Sequence, residues 1–385
     1  MNSVNIFFEF EQYYKLNNFE ASRRFLKTGD YSNTHLKKVL EDLDNPQLSY
    51  KTIHIAGTVA KGSMAIYLSR LFSLESLTGL YTSPHYQLLS ERIQVGGENI
   101  RNEDFHLLWN IIKNQPGHSF LSFFDVLTAI SFLYFKEKNI EWGVIECGLG
   151  GRLDSTNNVS PEIVVITPID FDHEKILGST LKEIAREKSG IIKEDSLVYD
   201  MNSNLFIQDL IRNVCTSNGA QYHNVPSFQE GNYLERNLKS AQYIYQHYYH
   251  KSPAWIKKEC TGRLEKVSSE KNIYFDSAHN NIGMEYLGSW ASSVSNNWHI
   301  YINCMKERNI QKFIDILKSF IHIDTIFLFN IEEAGFYQQN DFLNDHFVQI
   351  CNDRQRLRDL FNREGSHLVC GSIRLYAPLI ELLSE

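Results

Sequence analysis

No stretch of this 385-residue sequence is apolar for long enough to cross a bilayer as a helix. The opening MNSVNIFFEFEQYYKLNN lacks a basic segment, an apolar segment and a small-residue cleavage site in that order. Both absences predict a soluble, cytoplasmic protein with no membrane partner. Cysteine is sparse and scattered, at positions 147, 215, 260, 304, 351 and 370, with no CxxC and no close Cys/His grouping. That spacing excludes a disulfide framework and a structural zinc, leaving reduced core residues. A basic excess is also missing: 38 Lys and Arg face 46 Asp and Glu, a formal net charge of −8. Nucleic acid is therefore not an expected partner, because a protein that tracks phosphates needs a basic face. There are no internal repeats or low-complexity tracts.

What is present suits packed cores. The chain is 43% hydrophobic and 13% aromatic, and its length exceeds what one core usually organises, so two domains are expected. Short apolar runs alternate with glycine-rich or polar turns and helical patterns, the mark of α/β units with parallel strands. The runs Thr52–Ala56, Gly143–Cys147, Ile163–Thr167, Asn272–Asp276, His299–Asn303, Ile326–Asn330 and His367–Cys370 read as strands. Ser63–Phe72, Phe124–Lys138 and Thr180–Ser189 read as helices. The stretch 195–258 is less regular, and a fresh run of strands follows Cys260-Thr-Gly-Arg-Leu-Glu265. A boundary near residue 260 is expected, giving domains 1–260 and 261–385. In open α/β sheets ligands lie beyond the carboxyl ends of strands, so chemistry is sought there.

The segment His54-Ile-Ala-Gly57-Thr-Val-Ala-Lys61-Gly-Ser63 follows a strand and opens a helix. Such a turn aims backbone N–H groups and the positive helix end at an anion. Gly57, Thr58, Lys61, Gly62 and Ser63 are candidate ATP ligands, with Lys61 reaching the β/γ-phosphates and Ser63 offering a hydroxyl to Mg²⁺. The pattern departs from G-x4-G-K-[ST], because Ala60 precedes Lys61. Glu146 ends an apolar strand, where a carboxylate is costly unless solvated or paired with a cation. Ser63, Ser83 and Glu146 form a hard-oxygen set for Mg²⁺, against the alternative of a salt bridge from Glu146 to Arg152. Leu181, Ile184 and Ala185 mark the apolar stripe of their helix, and Lys188 continues it, so this lysine is aimed inward. Burial near cations lowers a lysine's pKa, and a neutral amine can add carbon dioxide. The alternative is a lysine that snorkels to solvent or pairs with a carboxylate.

These segments resemble the folylpolyglutamate synthase/dihydrofolate synthase family of the Mur-ligase superfamily. The loop is similar to that family's GTNGKGS. The likeness runs in family order through Asp44-Asn-Pro-Gln, Tyr81-Thr-Ser-Pro-His85, Glu91-Arg-Ile93, Glu146-Cys-Gly-Leu-Gly-Gly-Arg-Leu-Asp154-Ser-Thr-Asn157, Asp172-His173 and Ile184-Ala-Arg-Glu-Lys188-Ser-Gly-Ile191. It continues through Gly262-Arg-Leu-Glu265, Asp276-Ser-Ala-His-Asn280, Met305-Lys306 and Gly371-Ser372. It implies an N-terminal P-loop-type ATPase domain with a mostly parallel sheet and a smaller C-terminal Rossmann-like α/β domain. It also implies an ATP- and Mg²⁺-dependent ligase, expected to be a monomer, joining a dihydropteroate or folate carboxylate to glutamate through an acyl phosphate.

By the same resemblance His173 binds a second magnesium and Lys188 is carbamylated. Arg263 meets the phosphates, Asp276 the ATP ribose and Asn237 a position near adenine. Asp154, His279 and Ser372 lie near the substrates. The implied catalytic set is Lys61, Lys188, Arg263 and His279. Val59 and Ala60 stand where the family has Asn and Gly, Leu234 replaces a glutamine, and Asn281 replaces a proline. Competing readings are a Mur-type ligase on another acid and a nucleotide-binding protein without catalysis. A third, a dinucleotide oxidoreductase suggested by Gly148-Leu-Gly150, is opposed by Leu153 at the third glycine position.

Overall fold

The computed structural model describes residues 6–17, 34–331, 333, 335–338, 341, 348–351 and 354–384. The chain divides into two compact units, one of residues 1–229 and 237–257, the other of residues 230–236 and 258–385.

In the first unit the described strands form one sheet. They are β1 Lys51–Ala56, β2 Thr78–Tyr81, β3 Ile93–Val95, β4 Glu98–Asn99, β5 Trp142–Glu146, β6 Ile163–Ile166, β7 Leu197–Asp200 and β8 Gln221–Asn224, in the order β4-β3-β2-β5-β1-β6-β7-β8. Strands from β2 to β8 in that order run parallel, while β3 and β4 are antiparallel additions at one edge. Every residue of β2, β5 and β6 is buried, which explains unbroken apolar runs in place of alternation. Pairing of Ile55 with Glu146 and of Ala56 with Ile166 aligns the carboxyl ends of β5, β1 and β6. Three loops therefore leave the middle of the sheet at one level.

Helix Leu181–Ser189 packs beneath two of those loops. The Thr180 hydroxyl accepts from the Glu183 N–H while the Glu183 carboxylate accepts from the Thr180 N–H, closing a capping box. Ile184 and Ala185 enter a core with Ala56, Cys147, Val164, Ile166 and Ile191. A separate core gathers Phe10, Phe105, Trp109, Phe132 and Phe135.

The region 195–258, read as less regular, contains β7, β8 and helices Leu205–Asn218 and Tyr233–Tyr249. The strand signal was weak because β8, at the sheet edge, is polar and part-exposed.

The second unit holds β9 Glu265–Lys266, β10 Ile273–Asp276, β11 Asn297–Ile302, β12 His322–Phe329, β13 Val348–Cys351 and β14 Ser366–Cys370, in the order β13-β12-β11-β14-β10-β9. All pairs are parallel except β9 with β10. Asp276 pairs with Cys370, and Cys370 with Ile302, so Ser277, Gly371 and Asn303 leave their strands at one level.

Candidate active site

The turn after β1 is built by backbone constraints. Gly57 has φ 154°, and a Cβ there would lie 1.8 Å from Thr167 Oγ1, so only glycine fits. The neighbouring strand end clasps the loop: the Thr58 N–H donates to Pro168 O (3.0 Å), and Thr167 Oγ1 donates to Val59 O (2.6 Å). Thr58 Oγ1 donates to Asp170 O at 3.0 Å. Ala60 takes a left-handed φ of 69° and caps helix Lys61–Phe72. The helix thus begins at Lys61, two residues earlier than its sequence pattern predicts. Lys61 Nζ donates to Gly57 O (3.0 Å) and Thr58 O (3.3 Å).

Glu146, 4% exposed, leaves β5 beside this helix end. A Cβ on Gly62 would stand 3.6 Å from either carboxylate oxygen, and the Ser83 N–H donates to Glu146 Oε2 at 3.1 Å. Ser63 Oγ donates to Ala60 O (3.0 Å) and accepts from Asn237 Nδ2 (2.9 Å). Residues 63, 83 and 146 are thus neighbours, and Asn237 joins the helix's first turn. The alternative partner for Glu146 is engaged elsewhere: Arg152 pairs with Glu187 at 2.7 Å.

Lys188 is 3% exposed, as the helical stripe predicts. Its Nζ donates to Gly57 O at 2.8 Å. Lys61 uses the same acceptor, so the two ammonium groups sit close together. Burial, then repulsion from Lys61, lowers the Lys188 pKa to about 7, against partial compensation from Asp172. His173 begins the next strand-end helix, Glu174–Leu177, with φ 51°; its Nε2 lies 3.7 Å from Asp172 Oδ1 and its side chain is 43% exposed. Among the described residues no three His, Cys, Asp or Glu side chains form a ready metal cage. This donor set suits an ion that takes most ligands from phosphate oxygens and water.

Asp154 is buried. Its carboxylate accepts from the Leu149 N–H (2.8 Å) and from both the N–H and the hydroxyl of Thr156. Burial raises its pKa, which these hydrogen bonds oppose.

In the second unit Asp276 accepts from Tyr233 OH (2.5 Å), the Leu264 N–H (2.9 Å) and the Ala278 N–H (2.8 Å). Burial raises its carboxyl pKa and the charge of Arg263 lowers it. His279 Nδ1 lies 2.9 Å from Ser277 O. Asn280 caps helix Asn281–Val294, and Ser372 caps the turn at Ile373–Leu375 by accepting from the Arg374 N–H. Capping is thus a visible task of several of these polar residues.

Sequence reasoning missed Thr167, whose hydroxyl fixes the turn after β1, and the buried pair His54 and Thr156 (2.9 Å). A polar residue ending an apolar run was the available signal at Thr167.

The chain is 30% identical over 295 residues to the dihydrofolate synthase/folylpolyglutamate synthase of Buchnera aphidicola subsp. Baizongia pistaciae, an overlap of 68% of this chain and 69% of that protein. The chain belongs to the dihydrofolate synthase/folylpolyglutamate synthase family. The similarly named Bacillus subtilis (strain 168) protein is 27% identical over 396 residues, covering 88% of this chain and 91% of its own. The fold is similar to that of the bifunctional folylpolyglutamate synthase/dihydrofolate synthase with Mn, AMPPNP and L-glutamate bound, at a TM-score of 0.78 and 21% identity over 92% of this chain and 94% of the other. A related structure of the same description comes from Yersinia pestis CO92, with a TM-score of 0.79 and 22% identity, covering 92% of this chain and 94% of that one. No protein-family model matches the sequence. The mixed α/β architecture with two sheets is that of this family's two-domain Mur-ligase fold.

Proposed function

We propose that this family member is an ATP- and magnesium-dependent ligase that joins the carboxylate of dihydropteroate or a folate to L-glutamate through an acyl phosphate. One observation carries the reading. Lys61, Ser63, Ser83, Glu146 and Lys188, far apart in sequence, converge around the phosphate turn at aligned strand ends.

A carboxylate is a poor electrophile, so amide formation requires activation. The acid's oxygen attacks the γ-phosphorus of ATP, the bond to the β-phosphate oxygen breaks, and ADP leaves. Lys61 and the N–H groups opening its helix offset charge on the phosphates. The glutamate amine then attacks the acyl carbon, loses a proton, and inorganic phosphate departs. Arg263, Asp276 and Asn237 are assigned to ATP, and His279, Ser372 and Asp154 to the substrate side, on the strength of the family motifs.

The oxygen-rich, buried surroundings of Glu146 fit Mg²⁺, with the Ser63 and Ser83 hydroxyls as further ligands and His173 at a second site. The ion supplies charge neutralisation on phosphate oxygens. Lys188, inward and with a lowered pKa, is suited to carbamylation. The enzyme is further proposed to be a cytoplasmic monomer that binds no nucleic acid.

The test is phosphate release from purified protein given ATP, Mg²⁺, dihydropteroate and glutamate, with each omitted in turn. Release that requires all four supports the reading, and no release with all four present overturns it. Release only with a different acid identifies a Mur-type ligase of other specificity.

A further inference from the structure

Three donors surround Asp276 at the end of β10, and one of them is a side chain with no part in the chemistry above. That side chain is Tyr233, the first residue of helix Tyr233–Tyr249, and the helix start is fixed locally. Asn232 Oδ1 accepts from the Leu234 N–H (3.0 Å) and the Glu235 N–H (3.1 Å), while Glu235 Oε2 accepts from the Asn232 N–H (3.0 Å). This reciprocal cap sets the direction of the first turn. The Tyr233 ring stacks on Tyr286, with centroids 6.1 Å apart and planes 23° apart, and the Arg236 guanidinium lies 5.5 Å over the Tyr286 ring. A phenylalanine can make the same stack. What the hydroxyl adds is a bond donated to Asp276 Oδ2 at 2.5 Å. Residues 230–236 and 258–385 form one compact unit, so both partners belong to it.

The other two donors are backbone groups. The Leu264 N–H donates to Oδ2 (2.9 Å) and the Ala278 N–H to Oδ1 (2.8 Å). Leu264 has a left-handed φ of 43°, a conformation rare for a bulky residue. An ionised carboxylate offers about four acceptor sites, two on each oxygen. Tyr233 and Leu264 fill Oδ2, and Ala278 takes one site of Oδ1, which leaves a single site. A ribose carries two neighbouring hydroxyls, and reading both through this carboxylate needs two sites.

We propose that Tyr233 determines how this chain reads the sugar of its nucleotide: by occupying Asp276 Oδ2 it leaves one acceptor site, so Asp276 recognises one ribose hydroxyl and not the other. The inference deepens the ligase reading and rests on its assignment of Asp276 to ATP. Competition does not rescue the second hydroxyl, because displacing Tyr233 exchanges one donor to a buried charge for another and gains no bond. A tyrosine that only ties the helix to β10 predicts something different: its loss alters binding of every nucleotide alike, whatever the sugar.

Calorimetry of the full chain with Mg²⁺ and ADP, 2′-deoxy-ADP or 3′-deoxy-ADP tests this without turnover. In the wild type one analogue should bind roughly tenfold more weakly than ADP, and the other within about twofold of it. Tyr233→Phe keeps the ring and frees the second site on Oδ2. ADP should then bind roughly fivefold or more tightly than to the wild type, and the analogue to which the wild type is indifferent should now trail ADP by a similar factor.

Equal penalties for the two analogues in the wild type, or a penalty for neither, overturn the proposal. A Tyr233→Phe variant that shifts ADP and both analogues in parallel overturns it as well, in favour of a structural tie. The wild-type series needs no substitution, so it decides the matter even if Tyr233→Phe fails to fold. Wild-type protein that shows the expected sugar preference but releases no phosphate from the complete mixture refutes the ligase reading alone. Turnover with equal penalties refutes the ribose inference alone, and no binding of ADP overturns both.

Discussion

Replacing Lys188 with methionine keeps the length of the side chain in its apolar stripe and removes the buried amine. In the native state the pKa falls from 10.5 to about 7, first through burial and then through Lys61. The unfolded chain therefore binds more protons than the folded one between those values, and stability attributable to this group rises with pH across that window. The contribution is at its best above pH 10.5, diminishes as pH falls, and is fully lost below about 7. At 1.36 kcal/mol per pKa unit the whole swing is on the order of 3–5 kcal/mol. Methionine forfeits the bond to Gly57 O, worth about 1 kcal/mol, but that carbonyl keeps Lys61 as a donor at 3.0 Å. Lys188→Met is thus expected to be more stable than the wild type by about 2–4 kcal/mol at pH 6.5, with the gap closing toward pH 10. Ligase activity should be abolished in the same variant. The measurement is urea unfolding in carbon-dioxide-free buffer from pH 6.5 to 9.5, with hydrogen exchange of helix Leu181–Ser189 reporting the first unit alone. A wild-type-minus-variant difference that stays flat with pH refutes the reasoning, because every other titrating group is common to both proteins.

Gly57→Ala forces a Cβ to within 1.8 Å of Thr167 Oγ1 at a φ of 154°, so a drop of several kcal/mol in urea stability and loss of ATP binding by calorimetry are expected. Ala60→Gly relieves a left-handed φ of 69°; the variant should gain about 0.5–1 kcal/mol and show a lower KM for ATP, and a stability loss would count against strain at this turn. Glu146→Gln retains an acceptor for the Ser83 N–H but loses the charge, so half-activation should need roughly tenfold or more Mg²⁺ in a metal titration.

The parts of the site legible in the sequence are those written in local periodicity. An apolar run, a glycine, a lysine and a helical pattern revealed the strand, turn and helix around Gly57 and Lys61, and spacing from Ile184 directed Lys188 inward. Periodicity gives a direction but not a partner. That Lys188 meets Gly57 O, 131 positions away, depends on the register joining β1 to its neighbours. The same holds for Thr167 over Val59 and for His54 under Thr156. Strand β8 escaped because it is polar and part-exposed at the sheet edge, and β7 was passed over although three of its four residues are buried.

Local rules fail in several places, among them left-handed Asp44, Asn139 and Leu264, and some of the failures meet at one pair of strands. Ala60 and His173 are non-glycine residues with left-handed φ values of 69° and 51°, and each starts the helix after one of two adjacent strands. Lys188, a charge-bearing residue in an apolar stripe, reaches Gly57, the residue that opens the first of those turns. Each feature alone costs folding free energy, of order 1–2 kcal/mol for a left-handed alanine. Packing alone is better served by glycine at position 60 and an apolar residue at 188. Their joint presence at aligned strand ends therefore argues for selection by chemistry at this turn, and the paired stability gains expected of Ala60→Gly and Lys188→Met test that argument as one.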